Sequence, residues 1–244
     1  MTYCVALKLD TGMLFVSDCR TNAGVDHIAT FSKMRVYETK DDRVIVVLSS
    51  GNLAVTQGVV NILDRQKDAN VGQSTIWSVT SLYDVATIVG NALREVQQRD
   101  GPYLSQANIE YATTLLVGGQ IRGEEPRLFN VYAQGNFIEA SPDTIYFQVG
   151  ESKYGKPILD RVLNSSTPYQ EAAKCALISF DSTIRSNISV GMPLDLLWLP
   201  RDALRIGVEK RINEGDAYFT MIRNSWGGGL RRVFTELPNP DWLP

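Results

Sequence analysis

The sequence predicts an α+β protein: a four-layer αββα sandwich in which two antiparallel sheets pack face to face between two helical layers. Three observations lead there. Strand-like segments come in blocks, two pairs of helix-like segments separate those blocks, and 44% of the 244 residues are hydrophobic, enough to fill a sizeable core. Sheets bordered in this way bury one face on each other and the remaining face under helices.

The first block begins with "TYCVALKL" at 2–9, a turn at "DTG", and "MLFVSDCR" at 13–20. A looping stretch, "TNAGVDHIATFSK", then leads to "MRVYET" at 34–39 and "RVIVVLSS" at 43–50. Alternating or continuous β-branched runs broken by Asp, Gly and Asn give the strand reading. Helices are expected at 52–69 and 81–99. In the second, Leu82, Val85, Val89, Ala92, Leu93 and Val96 form one apolar face, with Ser81 as cap and Asp84 in the first turn.

Strands resume with "ATTLLVGGQI", "RLFNVYAQG", "NFIEAS" and "TIYFQVG", joined by Gly and Pro turns. A second helical pair follows, "KPILDRVLN" with Pro157 near its start and "YQEAAKCALISFDSTIRS". "PLDLLWLP", "LRIGVEKRI" and "AYFTMIRNSW" read as mainly strand-like. The segment from 225 to 244, "SWGGGLRRVFTELPNPDWLP", reads as an irregular extension whose apolar residues pack on the domain or on a neighbour. The whole of 1–244 is taken as one domain.

Charge and composition exclude several classes of function. The net charge is -3, and no dense cluster of Lys and Arg is present to neutralise phosphates, so a nucleic-acid partner is not expected. No apolar run is long enough to cross a bilayer, and no secretory signal precedes the first strand, so the expectation is a soluble, cytoplasmic protein without a membrane partner. Cys4, Cys19 and Cys175 are too widely spaced for a metal motif or a disulfide framework. His27 is the only histidine, and reads as a loop residue. A hydrolase built from these residues needs a base other than imidazole, and neither a metal nor a cofactor is expected.

Thr2 offers such a base. Once Met1 is removed, Thr2 carries a hydroxyl nucleophile beside an α-amine whose ordinary pKa is about 7.7–8.0. Threonine is common at second positions and in strands, Asp18 alone reads as a turn residue, and Lys33 alone reads as a surface charge. Their order and spacing carry more weight than any one of them. Met1-Thr2 before a strand, Asp18 in "VSDCR", Gly24 in the next loop, Lys33 in "FSKM" and "SSG" at 49–51 resemble a proteasome-type β-subunit of the N-terminal-nucleophile hydrolases. "GESKYGKPILDRVL" at 150–163 and "DSTIRSNISVGMPLDLLWL" at 181–199 more narrowly resemble the bacterial ancestral β-subunit family, Anbu.

The resemblance implies that Thr2 is the nucleophile, Lys33 an ammonium beside its hydroxyl, and Asp18 the carboxylate that fixes Lys33 and preserves its charge. Gly51, between a strand and a helix, would supply an oxyanion donor. A peptide or unfolded protein would lie extended along a strand edge, in a cleft bordered by the Arg20, Thr21 and Asn22 loop and the segment after Gly51. The family's supporting Gly-Ser-Gly becomes "GESKYG", so Glu151 or Ser152 could hold that place. Its Asp-x-x-Ser becomes "SNISVG", with Asn187 for the aspartate and Ser189 near the serine position.

Peptide-bond hydrolysis through an ester on Thr2, in a self-assembled homo-oligomer, is the leading expectation. The alternatives are a non-catalytic or weakly active assembly subunit and an amidase acting on a small amide. The chain starts at the nucleophile strand, without the N-terminal helical extension of proteasome α-subunits, and this favours an enzyme. Whether the oligomer is a ring or an open spiral depends on small rotations that sequence does not reveal. No motif identifies an ATPase partner.

Overall fold

The computed structural model describes residues 2–23, 27–68 and 72–242, so Met1 and Gly24 lie outside the described residues. β1 (Tyr3–Leu9) and β2 (Gly12–Asp18) form the first hairpin. They sit within a five-stranded sheet with β10 (Tyr146–Gly150), β11 (Leu194–Pro200) and β12 (Val208–Ile212), in the order β10-β1-β2-β11-β12. Every pairing in it is antiparallel.

The second five-stranded sheet runs β5-β6-β7-β8-β9, from β5 (Met34–Thr39) and β6 (Arg43–Gly51) through β7 (Thr113–Ile121) and β8 (Arg127–Val131) to β9 (Phe137–Glu139). It too is antiparallel throughout. Three apolar clusters fill the gaps between layers. Met13, Phe15, Val44, Val46, Leu116 and Leu197 pack between the sheets, because alternate residues of each strand face the opposite sheet. Their strand neighbours face the helices: Val5, Leu14 and Leu194 meet α3 (Lys156–Val162) and α4 (Tyr169–Ser186) on one side. Ile45, Val117 and Phe129 meet α1 (Leu53–Arg65) and α2 (Leu82–Gln106) on the other. The αββα sandwich expected from sequence is the observed fold.

The helix starts follow local chemistry. Ser81 Oγ accepts from Tyr83 N and Asp84 N at 3.0 and 3.3 Å, and Asn52 Oδ1 accepts from Ala54 N and Val55 N at 3.0 and 3.2 Å. α1 ends at Arg65 and passes into a short 3-10 turn, Gln66–Asp68. α2 continues past the predicted end at 99 and through Pro102. A proline there deprives only the carbonyl of Gln98 of its helical partner, and Gln98 is on the exposed face, where water serves instead.

Three sequence readings are corrected. The stretch 21–33 is largely not a loop: β3 (Arg20–Ala23) and β4 (His27–Thr30) form a separate two-stranded antiparallel sheet, and His27 opens a strand. "AYFTMIRNSW" is not a strand, and the first part of the tail, as far as 236, is not irregular. Both belong to α5 (Ala217–Glu236), capped by Asp216, whose Oδ1 accepts from Phe219 N at 2.9 Å, and residues 237–242 follow without helix. Tyr, Phe, Thr and Ile favour strands as residue types, but Phe219 and Ile222, three apart, bury one helical stripe against the α4 layer.

Candidate active site

Asp18 stands at the end of β2, fully buried, and its two oxygens serve three elements. Oδ1 accepts from Lys33 Nζ at 2.6 Å and from Tyr3 N at 3.0 Å, while Gly191 N approaches Oδ2 at 3.4 Å. The carboxyl thus links the lysine ahead of β5 to the residue directly after Thr2. Burial pushes Asp18 above the ordinary carboxylate range, opposed by the charge and hydrogen bond of Lys33 and by the two backbone N–H groups.

Lys33 is also buried, and Nζ makes a second hydrogen bond, to Arg20 O at 2.6 Å. Its own carbonyl accepts from Ser49 N at 2.9 Å, which pins the segment before β5 to β6. Two acceptors on a buried ammonium satisfy what desolvation would otherwise penalise.

Thr2 is held by β10. Glu151 N donates to Thr2 O at 2.7 Å, and Gly150 sits opposite Tyr3 with φ +84°. A Cβ on Gly150 would lie 1.9 Å from Thr2 O, so only glycine permits this approach. The Glu151 side chain, itself buried, accepts from Asn187 Nδ2 at 2.9 Å, and Asn187 Oδ1 accepts from Ser189 N at 2.9 Å. Glu151, Asn187 and Ser189 are therefore one connected group. Ser152 is not joined to them by its side chain: it faces α3, its carbonyl accepting from Lys156 N at 3.1 Å.

A cavity of about 1000 Å³ opens in front of Thr2 and Lys33, bordered by Arg20 and Thr21 of β3 on one side and Gly51 on the other. Asn22 follows in β3, opposite Ile28, with its side chain outside the described residues. The cleft edge is consequently a strand where a loop was expected. Gly51 ends β6 with φ +122°, and a Cβ there would lie 2.2 Å from Ala112 O. The first N–H groups of α1 are not all free to meet a ligand, because Asn52 takes those of Ala54 and Val55.

Sequence reading passed over Gly150 and Asn52. The Asn before the helical pattern was a readable cap signal, whereas the role of Gly150 depends on a strand nearly 150 residues from Thr2. Among the described residues no group of three or more His, Cys, Asp and Glu side chains is placed to hold a metal ion, and no helix is long and apolar enough to cross a membrane.

No protein-family model matches the chain. The chain is 24% identical over 214 residues to proteasome subunit beta 2 of Nitrosopumilus maritimus, covering 86% of this chain and 91% of that one. Solved structures are nearer. Anbu from Yersinia bercovieri is 50% identical with a TM-score of 0.91, covering 98% of this chain and 99% of that one. A helical assembly of the Anbu complex from Pseudomonas aeruginosa is 49% identical with a TM-score of 0.93, covering 98% of each chain.

Proposed function

The chain belongs to the Anbu family of ancestral proteasome-type β-subunits, and from that premise we propose that it is a threonine peptidase whose nucleophile is Thr2 after removal of Met1. One observation carries the reading: Asp18 Oδ1 accepts both from Lys33 Nζ and from the amide directly after Thr2, at the mouth of a cavity large enough for a peptide.

In the proposed reaction the Thr2 hydroxyl gives its proton to its own α-amine, directly or through water, as its oxygen attacks the peptide carbonyl. Lys33 favours the developing alkoxide by charge, and Asp18 keeps that charge in place. The N–H of Gly51 is the donor assigned to the oxyanion. The C–N bond breaks, the amine leaves with the proton, and water hydrolyses the ester on Thr2. A substrate strand laid between β3 and the β6–α1 turn suits the shape of the cleft. The Glu151 and Asn187 pair takes the supporting place beside the amine.

Homo-oligomeric working is part of the proposal, supported by the solved helical assembly of the Pseudomonas aeruginosa relative. A cytoplasmic location is supported by three free, buried cysteines. Mass spectrometry after exposure to an electrophile selective for N-terminal threonine tests the chemistry. The expected result is loss of Met1, one adduct on Thr2, and no adduct or peptide turnover in Thr2→Ala. A retained Met1 with no adduct overturns it, and turnover of small amides alone replaces the peptidase with an amidase.

A further inference from the structure

Asp195 lies in β11, opposite Ser17 of β2 and Arg211 of β12. Its Oδ2 accepts from Cys19 Sγ at 3.0 Å and from Ser32 Oγ at 2.8 Å. These partners are not arbitrary. Cys19 follows Asp18 and Ser32 precedes Lys33, so one oxygen joins the residues next to both members of the buried ion pair.

The hydrogen-bond inventory supports two donors meeting at that oxygen. Burial and the neighbouring Asp195 push the Cys19 thiol up to about 12, so it keeps its proton and donates. Ser32 has one hydroxyl proton and two acceptors in reach, Asp195 Oδ2 at 2.8 Å and Met34 O at 3.1 Å; the shorter, anionic one takes it. Met34 N then donates to Ser32 Oγ at 3.3 Å. Arg211 Nε stands 3.6 Å from the other oxygen, Oδ1, which holds the carboxylate from the far side. Phe31 N donates to Cys19 O at 2.9 Å, aligning the same two segments through the backbone.

We propose that Asp195 is a positioning residue for the active site: by bridging Cys19 and Ser32 it fixes the end of β2 against the segment before β5, and so sets the approach of Lys33 to Asp18. Asp195 does not line the cavity and touches no substrate, so it acts only through the two side chains it holds. As a statement about catalysis this rests on the peptidase reading; as a statement about the placement of Lys33 it does not.

The test has two arms. In the first, Asp195→Ala lowers kcat for a peptide by about ten- to a hundred-fold with KM within about two-fold, Asp195→Asn recovers most of the rate by keeping an acceptor oxygen, and assembly is unchanged. A parallel rise in KM, or equal loss in Asp195→Asn and Asp195→Ala, overturns the proposal. In the second arm, the Cε resonance of Lys33 is followed by 13C NMR of lysine-labelled protein. It moves toward the positions of solvent-exposed lysines in Asp195→Ala and stays in place in Asp195→Asn. An unmoved resonance in Asp195→Ala overturns the proposal whatever the activity, whereas a moved one beside an inert wild type removes only the peptidase reading. Should Asp195→Ala fail to fold, Ser32→Ala, at an exposed position, removes one of the two bridged donors, and the same resonance must move in the same direction.

Discussion

Asp18 is the residue at which chemistry and folding pull apart. Burial holds its folded-state pKa above that of the unfolded chain, opposed by Lys33. The folded protein therefore binds the Asp18 proton more tightly than the unfolded chain does. The stabilisation that results is fully present below the unfolded carboxylate pKa of about 3.9 and is lost as pH rises through the raised value. Above that value the ionised carboxylate opposes folding, while the proposed reaction requires it. Asp18→Asn, an approximate stand-in for the protonated acid, is accordingly expected to leave stability toward denaturant unchanged or higher while lowering the rate of Thr2 labelling by about 10²-fold or more. A matched loss of both would contradict this separation. The same shift predicts that the stability of the wild type falls relative to Asp18→Asn as pH rises through the raised value, and a difference in denaturant stability that does not change with pH would show that Asp18 does not titrate there.

Among the described elements, α5 exposes a cluster of apolar side chains near its C-terminal end. Its first half is anchored by Phe219 and Ile222, but in its second half Leu230, Val233 and Phe234 are exposed, Phe234 by 79%, as is Leu237 directly after it. Spacings of three and four place the three helical residues on one stripe, which an isolated helix gains nothing by exposing. If the proposed homo-oligomer covers this stripe, Phe234→Glu is expected to weaken association at least about ten-fold by sedimentation, with the fold intact by circular dichroism. Assembly that is indifferent to Phe234→Glu would free α5 of this role. How far these elements can be read from sequence follows from where their determinants lie. β1, β2, β6 and β7 are legible because both of their faces are buried, so they are written as short, near-continuous apolar and β-branched runs bounded by turn residues, and α2 because its apolar stripe repeats over about four turns. α5 is not, since strand-favouring residues and Gly227, Gly228 and Gly229 hide a stripe that α4 completes. In the site, Thr2, Asp18 and Lys33 stand out by order and spacing, whereas Asp195 meets Cys19 across 176 positions and no local pattern announces it.

At the scale of the whole molecule the two sheets share one middle layer. Phe15 of β2 is fully buried there among Val44, Val46 and Leu116 of the opposite sheet. We expect residues 1–244 to unfold as one cooperative unit, with Phe15→Ala costing about 3–5 kcal/mol and lowering a single calorimetric transition. Two resolved transitions, only one of them shifted, would divide the chain into separate units. On the proposed peptidase reading, the middle layer also decides when the chemistry can begin. Thr2 and Asp18 belong to one sheet, while Lys33 stands at the entrance to the other. A nascent chain that has formed only its first hairpin has a threonine without its ammonium, and is harmless to the polypeptides around it. Docking of the sheets is thus a built-in safety catch, released by completion of the fold.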